Sequence, residues 1–264
     1  NLEQLKVHYY EDIFHDHWIE EKGQKIAIIL YSSLYKSGDL CYSNEITKQV
    51  KKHGLIPRTI WVSSLKEEHI QNELISILNK EKIDSIITTT SFAAISDEEA
   101  AIGNKLWDTI GIPVFQLLSS TTSKEKWLAS SIGLNPVDLT LQVVMPEIDG
   151  RIITRTGAFK TIVESDSKLS SNIQILKPNK SSISWTINLI KNWLTLKNTN
   201  PAKRRICLMM ANYPVKDSRI GNGVGLDSPE SIVKILNLLK SSGYNLGSKT
   251  LPNNSKELID EIMK

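Results

Sequence analysis

Five side chains between residues 147 and 160 have the types and spacing to handle protons, a metal ion or an acid group. Glu147 and Asp149 stand two apart, and Arg151, Arg155 and Lys160 follow. On an extended segment, residues two apart point to one side. Paired carboxylates so placed could take protons or escort a divalent metal ion. The same residues also suit a turn, with Asp149-Gly150 at the corner and Glu147 in solvent. Even spacing puts Arg151 and Arg155 on one face of a strand. Guanidinium groups there would capture carboxylates through bidentate, charge-assisted bonds, or form an ordinary basic surface.

A second constellation lies in Arg219-Ile-Gly-Asn-Gly-Val-Gly225, with Lys216 upstream. Three glycines let backbone approach a ligand closely, and Lys216, Arg219 and Asn222 add polar groups. The spacing does not fit G-x-G-x-x-G, and a long loop separates these glycines from the preceding apolar run. A dinucleotide site is therefore not expected. A purely structural glycine loop is the other reading. His8, His15 and His17 stand near Glu11 and Asp16, and imidazoles suit late first-row metals. No single simple element presents all three, so a solvated helix is expected there. His53 closes a helix and His69 lies on a helix surface. Six tryptophans are predicted mainly to fill cores, and some to stack on a flat ring. Ser119–Ser123 precedes a helix, where it caps or cradles an anion. The chain has no G-x-x-x-x-G-K-[ST], paired C-x-x-C or G-x-S-x-G motif.

Elements that position these residues follow from the pattern. Lys25–Tyr31, Ile56–Val62, Asp84–Thr90 and Ile112–Leu118 are short apolar runs and read as buried strands. Between them lie helical spacings: Tyr42, Ile46 and Val50, closed by His53-Gly54, and Ile70, Leu74, Ile77 and Leu78 after a capping box at Ser64–Glu67. Ser123–Ser131 predicts a short helix. The alternation predicts an α/β fold with a doubly wound parallel sheet, flavodoxin-like, over residues 1–180. Leu141–Met145 and Arg151–Thr156 read as extended, and Ser165–Asn172 as a surface loop or hairpin end. A helix carries Ile183, Ile187, Ile190 and Leu194. Residues 181–264 are expected to begin a second α/β part. In it, Ile206–Ala211 is a buried strand before the glycine loop, and Ser228-Pro229-Glu230 caps a helix that Gly243 ends.

Bulk properties bound the rest. The 264 residues are 40% hydrophobic, enough for a real core, and the net charge is only +3. Lysines are spread along the chain, so nucleic-acid binding is not indicated. Cys41 and Cys207 imply a reducing, cytoplasmic setting rather than a disulfide framework. No apolar run approaches the roughly 20 residues that span a bilayer. The chain lacks an initiator methionine, and it stops within the amphipathic pattern Ser255–Lys264. Both features are read as signs of an internal fragment.

Three stretches carry a resemblance. Ala211-Asn-Tyr-Pro214 followed by Arg219–Pro229, then Met145–Arg155 with Phe159-Lys160, then Ser130–Leu139, resemble the CobN-type large subunit of aerobic cobaltochelatases. These belong with the magnesium chelatase H subunits in one family, whose members carry P-E-(L/V/I)-D-G at the second stretch. The resemblance implies a parent several times longer and a tetrapyrrole- and metal-binding subunit. Its expected substrates are Co²⁺ and the corrinoid hydrogenobyrinic acid a,c-diamide. ATP would be hydrolysed by separate AAA+ partner subunits, with no organic cofactor and no nucleic-acid or membrane partner. It further implies that Glu147 and Asp149 serve the catalytic step at pyrrolic nitrogens or the metal. Arg151, Arg155, Lys160, Arg219 and Asn222 would bind ring acids, with the two arginine-bearing segments converging; the metal ligands stay unassigned. The rival readings are a magnesium chelatase H subunit acting on protoporphyrin IX, a non-catalytic α/β ligand-binding module, and a scaffold for the motor subunits. The wording R-I-G-N-G-V-G-L-D-S-P favours the cobalt type.

Overall fold

Runs of β-branched residues that stay apolar on consecutive positions build the centre of a sheet, because a strand covered on both faces needs no polar side. The structure, a computed structural model, describes residues 10–94, 105–166, 171–211, 220–223 and 225–264. Among these, the seven-stranded sheet runs in the order β1-β3-β2-β4-β5-β6-β7. The strands are β1 (Ile13–His15), β2 (Lys25–Tyr31), β3 (Ile56–Val62), β4 (Ser85–Thr88), β5 (Val114–Ser120), β6 (Ile152–Asp166) and β7 (Ser171–Pro178). Strands β3, β2, β4, β5 and β6 pair in parallel, and β1 and β7 close the edges antiparallel. This is the doubly wound α/β arrangement the alternation predicts, in flavodoxin-like strand order.

Alternate residues of each strand feed two cores. On one face Ile26, Ile28, Leu30, Ile87, Phe115, Leu117 and Ala158 pack on two helices. These are α2 (Cys41–Lys52, after the short α1, Ser32–Lys36) and α8 (Lys180–Asn198). On the other face Ala27, Ile29, Ile60, Val62, Ile86 and Val114 meet α3 (Glu68–Glu81) and α4 (Lys105–Ile110). Tyr42 of α2 is fully buried, and its hydroxyl donates to Leu118 O at 3.1 Å. Burial pushes that phenol well above the ordinary tyrosine range. At the amino edge, Arg58 is buried and binds Glu81 at 3.1 Å, Glu21 at 2.9 Å and Ile19 O at 2.9 Å. Burial pushes Glu81 up, but hydrogen bonds from Arg58 and Lys25 together outweigh it and hold the carboxyl below its ordinary value.

Between β5 and β6 the chain forms α5 (Lys124–Ala129), then one helical run of α6 (Pro136–Leu139), a π-helical turn (Thr140–Val144) and α7 (Met145–Ile148). The strand expected over Leu141–Met145 is thus helical. Asn135 starts the run by accepting from Asp138 N at 2.9 Å, with Pro136 at its head. A short apolar run fits a buried helix as well as a strand, and the cap decides between them. Two smaller expectations also change. His15 lies on β1 instead of a solvated helix, paired with Ile60 of β3. The helix α3 begins at Glu68, its Glu67 cap makes no side-chain bond, and Ser64 Oγ instead accepts from Lys66 N at 3.0 Å.

The chain divides into two compact units, residues 1–194 and 195–264. The sequence pattern puts the division near Lys180, at the start of α8; the buried stripe Ile183, Ile187, Ile190 and Leu194 packs into the first unit's core. In the second unit a two-stranded ribbon joins β8 (Asn222–Gly223) to β9 (Leu226–Asp227), ahead of α9 (Ser228–Ser241) and α10 (Ser255–Ile262). The cap of α9 is Asp227, which accepts from Glu230 N at 2.9 Å, and not the Ser228 hydroxyl. Residues 206–211 are not in a strand: Ile206, Leu208 and Met209 are exposed, since no described segment offers them a ladder.

Candidate functional site

In open α/β sheets ligands sit outside the carboxyl ends of the strands, where the strand order reverses. Here that point lies between β2 and β4. Tyr31 ends β2, and its hydroxyl donates to Ser91 O in the loop after β4 at 2.8 Å. Burial raises the Tyr31 phenol, and the nearby Arg151 charge opposes this only in part, so it stays a neutral donor at pH 7. The run Thr88-Thr89-Thr90-Ser91 supplies hydroxyls to this loop, with Thr88 and Thr90 bonded to each other at 2.8 Å. Phe92 follows with φ of 66° and a half-exposed ring, a conformation that costs a non-glycine residue energy and recurs at working sites. Lys66, from the loop after β3, stands 5.9 Å over that ring.

The loop is clamped from behind. Arg151 gives Nη1 to Thr90 O and to Gln116 Oε1, both at 3.1 Å, and Nη2 to Phe92 O at 3.0 Å. Its partner Asp149 accepts from Arg151 Nη2 at 2.6 Å and from Ala94 N at 2.7 Å. Both side chains are wholly buried, and the guanidinium lies 5.4 Å over the Trp107 ring. Burial pulls Arg151 below the usual arginine range while Asp149 counters it. Gln142 projects from the π-helical turn, a feature common at functional sites. It donates to Ser91 Oγ at 2.5 Å and accepts from Gln116 Nε2 at 3.4 Å. Beside this, buried Asp138 ties the loop after β5, accepting from Ser120 Oγ at 3.0 Å and Thr121 N at 2.8 Å.

Several geometric expectations change here. Glu147 and Asp149 sit on and just after a helical turn, not an extended segment. Glu147 is exposed and Asp149 is buried, so they make no facing carboxylate pair. Arg151 and Arg155 do not share a face either. One bulge falls between them, because Gln116 pairs with Ile153 but Leu118 with Thr156. The extra residue reverses the alternation. Arg151 therefore turns to Trp107 in one core layer, while Arg155 stacks over Trp185 of α8, on the other face, at 4.1 Å. Lys160 is exposed and lines a cavity of about 380 Å³ with Thr121, Thr122, Ser123, Glu125 and Lys126. Asn222 lies on β8, and Arg219 and Lys216 fall outside the described residues, as does His8. His15 stacks on Trp18 at 4.0 Å. Among the described residues no group of three His, Cys, Asp or Glu side chains is placed to hold a metal ion.

Residue types alone do not single out Tyr31, Thr90, Ser91, Gln116, Gln142 or Asp138. The one sequence signal is the hydroxyl run directly after the β4 strand. Together the groups form a hydrogen-bonded platform at the carboxyl edge, with neutral donors, the buried Asp138 carboxylate and the Asp149–Arg151 ion pair, in which Arg151 Nε is buried without a hydrogen-bond partner among the described residues. It can position a ligand or a neighbouring segment, and it offers no poised acid-base pair.

A doubly wound sheet with this edge is a scaffold shared by many activities; likeness to known proteins narrows it. The sequence matches the family model CobN/Magnesium Chelatase over residues 3–264, and the chain belongs to that family. It is 33% identical over 238 residues to the aerobic cobaltochelatase subunit CobN of Sinorhizobium sp., covering 90% of this chain and 18% of that protein. Its counterpart in Pseudomonas aeruginosa is 30% identical, with 90% and 19% covered. The magnesium-chelatase H subunit of Rhodobacter capsulatus is 22% identical, with 90% and 20% covered. Among solved structures, the catalytic subunit of cobaltochelatase from Mycobacterium tuberculosis superposes with a TM-score of 0.77 at 26% identity, over 96% of this chain and 21% of that one. The chain thus spans about a fifth of the length of these relatives.

Proposed function

We propose that the chain is part of the tetrapyrrole- and metal-binding subunit of an ATP-dependent cobaltochelatase. It would serve insertion of Co²⁺ into hydrogenobyrinic acid a,c-diamide in cobalamin biosynthesis, in the cytoplasm. The observation that carries the cobalt reading is the gap in identity: 33% and 30% to the two CobN subunits against 22% to the Rhodobacter magnesium-chelatase H subunit, at equal coverage of this chain. Cobalt is a substrate here, and ATP is hydrolysed on AAA+ partner subunits. No helix of the described residues is long and apolar enough to cross a membrane.

Placement supports the following roles for Lys160, Glu147, Asp149 and Arg151. Lys160, beside its hydroxyl-lined cavity, binds a peripheral carboxylate of the ring. Glu147 stays outside the buried network and is the carboxylate free to meet a metal ion or a ring proton. Asp149 and Arg151 act as a positioning pair that fixes the β4 loop. For Arg219 and Asn222, in the glycine loop, the family resemblance alone supports a role toward ring acids. A second reading has this segment as a scaffold, favoured by the inward hydrogen bonds that tie Asp149 and Arg151 to the β4 loop.

Absorbance titration of the gene product with hydrogenobyrinic acid a,c-diamide and with protoporphyrin IX tests the proposal. The corrinoid should bind more tightly, and Lys160→Met should weaken it severalfold without altering the fold. Preference for protoporphyrin would support the magnesium type, and absence of any macrocycle binding would leave the scaffold reading.

A further inference from the structure

Ser120 ends β5, and Thr121 and Thr122 follow it; the network behind them fixes the direction of their hydroxyl hydrogens. Asp138 is 2% exposed, and its Oδ2 accepts from Thr121 N at 2.8 Å, Asn135 Nδ2 at 2.9 Å and Ser120 Oγ at 3.0 Å. The first two are N–H groups that can only donate, so Oδ2 is an acceptor and the Ser120 hydrogen points to it. Ser120 Oγ lies 2.8 Å from Thr122 Oγ1 and has no second hydrogen to give. Thr122 therefore donates inward, and it offers only lone pairs to anything beyond. Asn135 is oriented as well. Its Oδ1 accepts from Asp138 N at 2.9 Å, so the atom 3.0 Å from Thr121 Oγ1 is its Nδ2. Thr121 accepts that bond, and among the described residues its own hydrogen is left free to donate.

Both threonines line the cavity that Lys160 lines, because Ser120 pairs with Phe159 across β5 and β6. Two other polar residues of that wall are engaged with each other. Ser123 Oγ accepts from Lys126 N at 3.3 Å. The Glu125 N–H and the Ser123 hydroxyl bind the Glu125 carboxylate and hold it below its ordinary range. What faces a ligand is a donor at Thr121, an acceptor at Thr122, the ammonium groups of Lys126 and Lys160, and the Gln174 amide, which gives either. A carboxylate has acceptors only. It suits Thr121 and the lysines but sets its lone pairs against those of Thr122. A primary carboxamide brings an oxygen for Thr121 and N–H groups for Thr122. Donor and acceptor stand on successive residues, which suits a group that carries its oxygen and its N–H on two atoms.

We infer that Thr121 and Thr122 form a carboxamide subsite beside the acid subsite of Lys160, with Ser120 and Asp138 as positioning residues that set the direction of the hydroxyl hydrogens. The inference rests on the tetrapyrrole reading, and it adds which rim groups this cavity takes: an amide next to an acid.

Absorbance titration of the full-length gene product with hydrogenobyrinic acid a,c-diamide, and with the same corrin lacking both amides, tests this. The diamide should bind about tenfold more tightly, the contribution of one hydrogen bond gained and one lone-pair clash avoided. Thr122→Val should abolish that preference, and Thr122→Ser should keep it. Ser120→Ala, at a residue that touches no ligand, should release the Thr122 hydrogen and raise affinity for the unamidated acid relative to the diamide. A purely structural loss would weaken both alike. Equal affinity for the two corrins overturns the subsite and leaves the cobaltochelatase reading standing. So does a preference untouched by Thr122→Val in a protein of unchanged circular dichroism. Equal affinity with a lowered melting temperature in Thr122→Val would show an amide of the protein's own chain in the cavity, which also overturns it. Binding of neither corrin overturns both readings.

Discussion

Asp149 and Arg151 show how far a residue's company alters its chemistry. As letters they are an acid and a base near a surface turn; in the fold they are a fully buried ion pair that holds Thr90, Phe92 and Ala94. Removing one member strands the other charge, so Asp149→Ala should cost about 3–5 kcal/mol, read by urea unfolding. The double change Asp149→Leu with Arg151→Met should cost clearly less than the sum of the singles. Additive losses would show that the two do not act as a pair. At the amino edge, Glu81 makes stability depend on acid. Its folded pKa is depressed below the ordinary 4.5, so its contribution is complete above that value and is lost as pH falls through the folded pKa. The melting-temperature difference between the protein and Glu81→Gln should be constant near neutrality and shrink below about pH 4.5.

Elements are legible where one physical rule governs them. Strands β2, β3 and β5 and the stripes of α2, α3 and α8 follow from apolar runs and helical periodicity, because burial on two faces or one leaves a plain pattern. The helical run from Pro136 to Ile148 defeats that reading, since Leu141–Met145 is apolar without a decisive period and only the Asn135 cap decides. The opposed faces of Arg151 and Arg155 are illegible, because a bulge is a property of two paired strands and strand β6 alone does not display it. Nor do residue types reveal the Tyr31, Ser91 and Gln142 contacts, which join loops distant in sequence. Gly157, in the bulged stretch, makes the element testable. A Cβ there would lie 2.5 Å from Tyr42 Oη and 2.8 Å from Leu117 Cγ. Gly157→Ala should destabilise by about 1–3 kcal/mol and shift chemical shifts of Tyr42 and Leu117; an unchanged midpoint would mean that β6 does not approach α2 in this way.

At the scale of the molecule, a doubly wound unit with a hydrogen-bonded carboxyl edge and a second, smaller unit together make a segment matching about a fifth of its longer relatives. The sheet supplies rigidity, the β4 loop is pinned by buried groups, and Glu147 and Lys160 are left outward, able to meet a substrate. The proposal of a cobalt-type chelatase rests on the CobN relatives, and chemistry can decide it in one assay. Full-length gene product, supplied with ATP and the partner ATPase subunits, should insert Co²⁺ into hydrogenobyrinic acid a,c-diamide, seen as the absorbance change of the corrin, and should leave protoporphyrin IX unmetallated by Mg²⁺. Insertion of Mg²⁺ into protoporphyrin IX, with the corrinoid untouched, would contradict it.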